Sequence, residues 1–289
     1  MTESPIQHVS DTAFWVATYR AWESERPDAL FHDPLAARLV AGRGQEIARQ
    51  MDGATVAWSV SIRTVIIDAY VERAVAEGFD AVVNLGAGLD TRPYRMSLPA
   101  GLRWFELDFP EVLAFKQARL AGETPRCVLV RLGVDLSDVP ARRAAFAQVA
   151  AEARKILLLT EGFIPYLTVE QAAGLADAIQ ERPEFTAWVV DRFTGKFMRR
   201  RDVAPHHKQM ERTPFRFWPV DWDGFFALHG WRRTATRFLG AEAHRLGRGR
   251  PPAMPWWFGI VMRFMPERMR REIIEMSGYA WMERTASRG

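Results

Sequence analysis

Between residues 81 and 193 the sequence alternates between two hydrophobic periods. AVVNLG (81–86), LRWFELD (102–108), RCVLVRL (126–132), KILLLTEG (155–162) and FTAWVVDRF (185–193) are short apolar runs with the length and composition of buried strands. PEVLAFKQARLAG, VPARRAAFAQVAAEA and TVEQAAGLADAIQ lie between them and read as helices. Strands and helices alternating at this interval predict an α/β, Rossmann-like fold: a mainly parallel sheet with helices on both faces. GWRRTATRFLG (230–240) and GYAWMERTA (278–286) add two strands, an antiparallel pair that ends a seven-stranded sheet.

The flanks have other rhythms. Residues 1–58 read as a helical cap. DTAFWVATYRAWESERPDALF opens on Ser10 or Asp11 as N-cap, and HDPLAARLVAG has Pro near its start and Gly at its end. SVSIRTVIIDAYVERAVAEG (59–78) places Ile62, Val65, Ile66, Ala69 and Val75 on one helical stripe and stops at Gly78. The ligand-binding core is expected over 59–193. A Pro- and Arg-rich lid or insertion follows over 194–229, then C-terminal strands and a helix over 230–289. PPAMPWWFGIVMRFM is expected to form a helix docked on the core, with a pocket wall, a dimer interface or a membrane contact as alternatives. A length of 289 residues suits one large domain of this kind.

Composition narrows the setting. Hydrophobic residues make up 48% and charged residues 26%, an ordinary globular balance. The single cysteine, Cys127, excludes an internal disulfide and a cysteine-built zinc site, and its neighbours Val128, Leu129 and Val130 mark it as a buried strand residue. No apolar run approaches the ~20 residues of a bilayer span, and MTESPIQHVSDTAF has no basic n-region, so a cytoplasmic protein is expected. The net charge of +4 is concentrated over residues 196–250, with thirteen Lys or Arg against five Asp or Glu. The basic residues are almost all Arg, and neither nucleic acid nor membrane is expected as partner.

The turn after the first strand carries the chemistry. In AVVNLGAGLDTRPYR (81–95), Gly86 and Gly88 permit a sharp turn and a close ligand approach. A dinucleotide fingerprint needs a third glycine where Thr91 stands, and Asp90 would repel a pyrophosphate. The second strand ends in Glu106-Leu107-Asp108, with both carboxylates on one face. Gly133-Val134-Asp135-Leu136 follows the third strand, and Thr160-Glu161-Gly162 ends the fourth. Singly, each acid is better explained as a solvated residue or helix cap. In order, at the carboxyl ends of successive strands, they suit a ligand with a ribose, an amino group and a sulfonium but no phosphate. S-adenosylmethionine is such a ligand.

Over roughly residues 10–240 the chain resembles the leucine carboxyl methyltransferase family, including its bacterial polyketide O-methyltransferase branch. The resemblance rests on DPLAARL, the helix with Arg63 and Asp68, VVNLGAGLDTRPYR, WFELDFPEVLAFK and LLLTEGFIPYL. It implies a class I methyltransferase fold with S-adenosylmethionine as cofactor, S-adenosylhomocysteine as product, and no metal. By that resemblance Arg63 pairs with the methionyl carboxylate and Gly86 lies against the methionyl moiety, with Ala87 and Gly88 beside it. Asp108 takes the ribose hydroxyls, with Phe109 next to it. Asp135 and Leu136 hold the adenine, and Glu161, followed by Gly162, meets the amino group near the sulfonium. Arg20 is a looser second carboxylate contact. Asp90 and Arg92 read as a bridge that locks the turn.

Methyl transfer from a sulfonium is an in-line displacement that depends mainly on alignment. A carboxylate acceptor needs a cation to hold it, and Arg192, Arg199, Arg200 and Arg201 are candidates. A hydroxyl acceptor benefits from a base, for which His206, His207 and His229 are candidates. Tyr166 in EGFIPYL either orients the acceptor or walls its pocket. The expectation is an O-methyltransferase acting on a small molecule, as monomer or homodimer, with a carboxylate slightly preferred over an aromatic hydroxyl. A nicotinamide oxidoreductase and a non-catalytic binding protein are the other classes.

Overall fold

A computed structural model describes residues 9–40, 53–194, 214–252 and 254–285. The expected sheet is present, with strand order β3-β2-β1-β4-β5-β7-β6. Its strands are β1 (Ala81–Leu85), β2 (Arg103–Asp108), β3 (Val128–Gly133), β4 (Ile156–Thr160), β5 (Phe185–Phe193), β6 (Trp231–Phe238) and β7 (Ser277–Arg284). β1 to β5 pair in parallel. β1 and β4 are buried along their whole length, which is why they read as unbroken apolar runs. β7 runs antiparallel to its neighbours. Thr194 N–H, after β5, bonds Met276 O, before β7, and Thr285 N–H, after β7, bonds Gly230 O, before β6.

The chain divides into two compact units: residues 68–191, 214–235 and 280–289 in one, and residues 1–67, 192–213 and 236–279 in the other. The first unit holds the parallel strands and their crossover helices α4 (Arg92–Arg95), α5 (Pro110–Arg119), α6 (Val139–Glu152) and α7 (Val169–Gln180), with α8 (Trp222–Leu228). Sequence chemistry sets where these helices start. Asp138 caps α6 by accepting from Ala141 N–H at 3.1 Å, and Thr168 and Gln171 form a reciprocal capping box on α7. Trp188 on β5 meets Phe226 and Trp231 edge to face at 5.3 and 5.5 Å, closing the apolar core on that side. Cys127 is buried at the entrance to β3, and burial, with the nearby Glu106 charge, pushes its thiol up to about 12, an inert form.

The second unit holds α1 (Val9–Ser24), α2 (Pro34–Val40), the first part of α3 (Ala54–Ala76), α9 (Leu239–Arg245), α10 (Phe258–Phe264) and α11 (Glu267–Ile274). Glu23 ties it together. Its carboxylate accepts from Leu30 N–H at 2.8 Å, from the Ser61 hydroxyl at 3.1 Å and from the Arg248 guanidinium. The expectation of a helix docked on the core at PPAMPWWFGIVMRFM is corrected. The segment forms α10 between Pro255 and Pro266, neither α10 nor α11 has a buried residue, and Trp256, Trp257, Ile260 and Phe264 are exposed. Two prolines within twelve residues break the run before it can lay one continuous stripe on a core. α3 is the one described helix long and apolar enough to cross a membrane, and 44% of its most apolar window is buried in the protein.

Candidate functional site

The sheet order reverses between β1 and β4, and open α/β sheets bind ligands beyond the carboxyl ends of the strands at such a point. Gly86 (φ 64°) and Gly88 (φ 47°) form the turn after β1 in the left-handed region. Any side chain at Gly86 would also place its Cβ 2.8 Å from the Phe163 ring on the β4 turn, so the glycine lets the two turns meet. Gly86 N–H donates to Leu107 O at 2.8 Å, and Gly88 N–H donates to Asp108 Oδ2 at 2.7 Å. Asp108 Oδ1 accepts from Phe109 N–H at 2.7 Å. Burial raises the Asp108 pKa, against the two N–H bonds and the Lys116 charge, which lower it.

The acidic residues at the strand ends are of two kinds. Asp135 is exposed after β3, its carboxylate held low by the Ser137 hydroxyl and N–H at 2.7 and 2.8 Å, and Leu136 beside it is buried. Glu106 shares the face of Asp108 on β2, as alternation predicts, but is not open to a ligand. It is wholly buried, accepting from Lys116 Nζ at 2.6 Å and from Arg131 Nε at 2.9 Å. Asp90 is likewise buried and accepts from Asn84 Nδ2 at 2.8 Å and from Arg92 at 3.0 Å, the bridge expected of the turn. Glu161, after β4, accepts from Arg92 Nη1 at 2.8 Å. Gly162 N–H donates to the buried Asp191 at 2.9 Å, which fixes the start of that turn.

Two further groups hold the turns, and the sequence did not show what they hold. Asp68 on α3 takes Arg92 at 2.7 Å and Arg95 through a two-pronged pair at 2.7 and 2.8 Å. Arg142, on α6, donates to Leu136 O at 2.8 Å and to Gly174 O at 3.2 Å, holding the loop after β3 against α7. Asp68 was singled out in the sequence only as part of the family resemblance, and the spacing of Arg92 and Arg95 on one helical face is what suits them to a shared partner.

Tyr166 closes a 3-10 turn over Ile164–Tyr166 and meets Phe215 edge to face at 5.0 Å. Arg216 N–H donates to Pro165 O at 2.7 Å, so the strip around Phe215 lies along that turn. His229 pairs with Asp177 at 2.6 Å near Gly230, whose carbonyl accepts from Gln180 just before β5 begins. That is the amino edge of the parallel strands, opposite the edge at which the glycine turn lies. Arg20 and Arg63 belong to the second unit. Arg20 pairs with Asp33 at 3.0 Å, and Arg63 is half-buried on α3. Arg199, Arg200, Arg201, His206 and His207 lie outside the described residues.

Residues 13–180 match the family described as leucine carboxyl methyltransferase. The chain belongs to that family. A Streptomyces coelicolor relative is 40% identical over 184 residues, 59% of this chain and 64% of its own length. A Frankia alni relative is 32% identical over 270 residues, 87% of this chain and 93% of its own length. Both carry the name "Putative S-adenosyl-L-methionine-dependent methyltransferase". The fold recurs in a DUF574 family protein from Streptomyces avermitilis, with TM-score 0.57 and 16% identity over 93% of this chain and 96% of that one. It recurs also in a Thermobifida fusca protein described as a "putative methyltransferase", with TM-score 0.54 and 13% identity over 93% and 94%. The Rossmann-like methyltransferase fold expected for the family is therefore the fold of this chain.

Proposed function

We propose that this leucine carboxyl methyltransferase family member is an S-adenosylmethionine-dependent O-methyltransferase acting on a small molecule, a carboxylic acid in preference to a phenol. The observation that carries the reading is the turn after β1. Its left-handed glycines open a close approach beside the Asp108 carboxylate, while the cation of that turn, Arg92, is already divided among three carboxylates. A pyrophosphate would meet acceptors there where it needs donors. A ribose and an ammonium meet what they need.

The residues present fit the cofactor. Each oxygen of Asp108 holds one backbone N–H, and a carboxylate oxygen has a further lone pair for a ribose hydroxyl. Phe109, 39% exposed beside it, offers an apolar ring face, and Asp135 with Leu136 offers an acceptor next to an apolar edge, as an adenine requires. A Cβ at Gly162 would meet nothing within 4 Å, so the β4 turn leaves open space beside Glu161. When bound, the cofactor supplies an activated methyl group, and the protein's work is to align an acceptor oxygen with it. Tyr166 and Phe215 wall one side of that approach in this reading, and their rings are the observation that favours an aromatic hydroxyl as the second reading. The arginines at 199 and 201 and His206 enter the proposal from sequence alone, as acceptor cations and base, as does a cytoplasmic location.

Titration calorimetry with S-adenosylmethionine and S-adenosylhomocysteine tests the cofactor, with micromolar binding of both expected. A labelled-methyl screen of carboxylic acids against phenols then tests the acceptor. Binding of neither nucleoside sinks the proposal. Binding with label transferred only to phenols moves it to the second reading.

A further inference from the structure

We infer that Arg92 is a positioning residue that, through Glu161, sets where the ammonium-bearing end of the cofactor sits, leaving the nucleoside end to other groups. The inference rests on the cofactor reading above. The guanidinium is 1% exposed and its donors are divided among three separate elements. Nε donates to Asp68 Oδ1 on α3 at 2.7 Å, and Nη1 donates to Asp90 Oδ2 at 3.0 Å and to Glu161 Oε2 at 2.8 Å. Its backbone N–H donates to the other Asp90 oxygen at 3.0 Å. Nη2 is buried with no hydrogen-bond partner among the described residues.

These bonds make a single planar fork a polar link between the turn after β1 and the turn after β4. Each outer partner is itself anchored: Asp68 by both Arg95 terminal nitrogens, Asp90 by Asn84. Glu161 therefore accepts from a guanidinium that Asp68 and Asp90 also hold. The guanidinium stays charged. Burial alone would lower its pKa, but Asp90, Glu161 and Asp68 together raise it well above the ordinary value. The sheet order separates the two ends of the site. Asp108 and Asp135 follow β2 and β3 on one side of β1, while Glu161 follows β4 on the other. The Arg92 fork touches Glu161 directly and reaches Asp108 only through Asp90 and the glycine turn. Lysine keeps the charge but cannot reproduce a fork that serves Asp68 and Glu161 from different nitrogens.

The test compares two probes on the full chain by calorimetry. S-adenosylhomocysteine carries the ammonium end, and 5′-methylthioadenosine lacks it. Arg92→Lys is expected to weaken S-adenosylhomocysteine at least tenfold and 5′-methylthioadenosine less than twofold, and Glu161→Gln is expected to show the same selectivity. Should Arg92→Lys fail to fold, Asp68→Asn removes only an outer partner of the fork and carries the same comparison. Equal loss for both probes would show that Arg92 merely holds the fold, and unchanged binding of both would make it a bystander; either overturns the inference. A wild-type protein that binds neither probe overturns the cofactor reading itself, which the variants alone cannot do.

Discussion

Glu106 and Asp108 stand two residues apart on the same face of β2, and their surroundings differ completely. Glu106 is sealed in the interior between Lys116 of α5 and Arg131 of β3, whose guanidinium also reaches the Tyr94 hydroxyl at 2.7 Å. Asp108 stands at the mouth, held by two backbone N–H groups. The interior carboxylate is matched by side-chain cations and spends its charge on the fold. The mouth carboxylate is bound by neutral donors, and burial works against its charge. A strand end can thus carry two acids of which one is matched by buried cations and only the outer, in the proposed function, is offered to a ligand. The same division separates Asp90, buried under Arg92, from Asp135, exposed beyond β3.

The comparison predicts its largest effect at Glu106. Glu106→Gln would leave Lys116 and Arg131 facing a neutral amide in a site where Lys116 and Glu106 are fully buried. Uncompensated buried charge of this kind costs about 3–5 kcal/mol. Urea unfolding should show a loss of that order, while any cofactor affinity measured below the unfolding transition stays near wild type. A stable Gln variant with weakened binding would reverse the assignment of the two acids.

Asp108 should do the opposite. Its folded pKa is raised, so its contribution to stability is present below the ordinary aspartate value of about 3.9 and is lost as pH rises through the folded pKa. The ionised group is therefore held at some cost at neutral pH. Asp108→Asn should lower stability by about 1 kcal/mol, since the amide nitrogen cannot accept and one of the two N–H bonds is lost, offset in part by removal of a charge that burial disfavours. It should weaken S-adenosylhomocysteine at least tenfold. In the wild type, affinity should fall on acidification beginning above pH ~4, and that acid limb should vanish in the Asn variant. A variant as unstable as Glu106→Gln would mean that Asp108 too belongs to the frame.

Why the sequence separated some of this and not the rest follows from what each feature depends on. The strands were legible because a fully covered parallel strand must be apolar on both faces, as β1 and β4 are, and the observed ends lie within two residues of the expected ones. The glycine turn was legible because a left-handed backbone demands its residue type. The Glu106 cluster was not, because Lys116 on an amphipathic helix looks like any solvated lysine until its partner is known. The register of β2 on β3 sets Glu106 opposite Arg131, and only pairing reveals that. Arg142 escaped for the same reason, since its acceptors are backbone carbonyls at Leu136 and Gly174. The exposed α10 was misjudged because apolar composition signals burial only when it forms a continuous stripe.

The smallest effect is expected at Asp135, and it sharpens the comparison most finely. Its carboxylate is exposed and held by Ser137, so its pKa is lowered and its contribution to stability is present above the ordinary value and lost as pH falls through the folded one. Solvent screens that contribution, and Asp135→Ala should leave the unfolding transition unchanged. If the group accepts one hydrogen bond from an adenine, its loss should weaken S-adenosylhomocysteine about threefold to tenfold, the worth of a net bond of about 1 kcal/mol. Adenosine should lose affinity by the same factor, since the contact is made by the base alone. Unchanged binding of both would make Asp135 an ordinary surface acid and leave Asp108 as the open acceptor on the β2 side of the turn. Loss of S-adenosylhomocysteine affinity without loss for adenosine would place Asp135 with the amino-acid end, against the order of the strands that the comparison rests on.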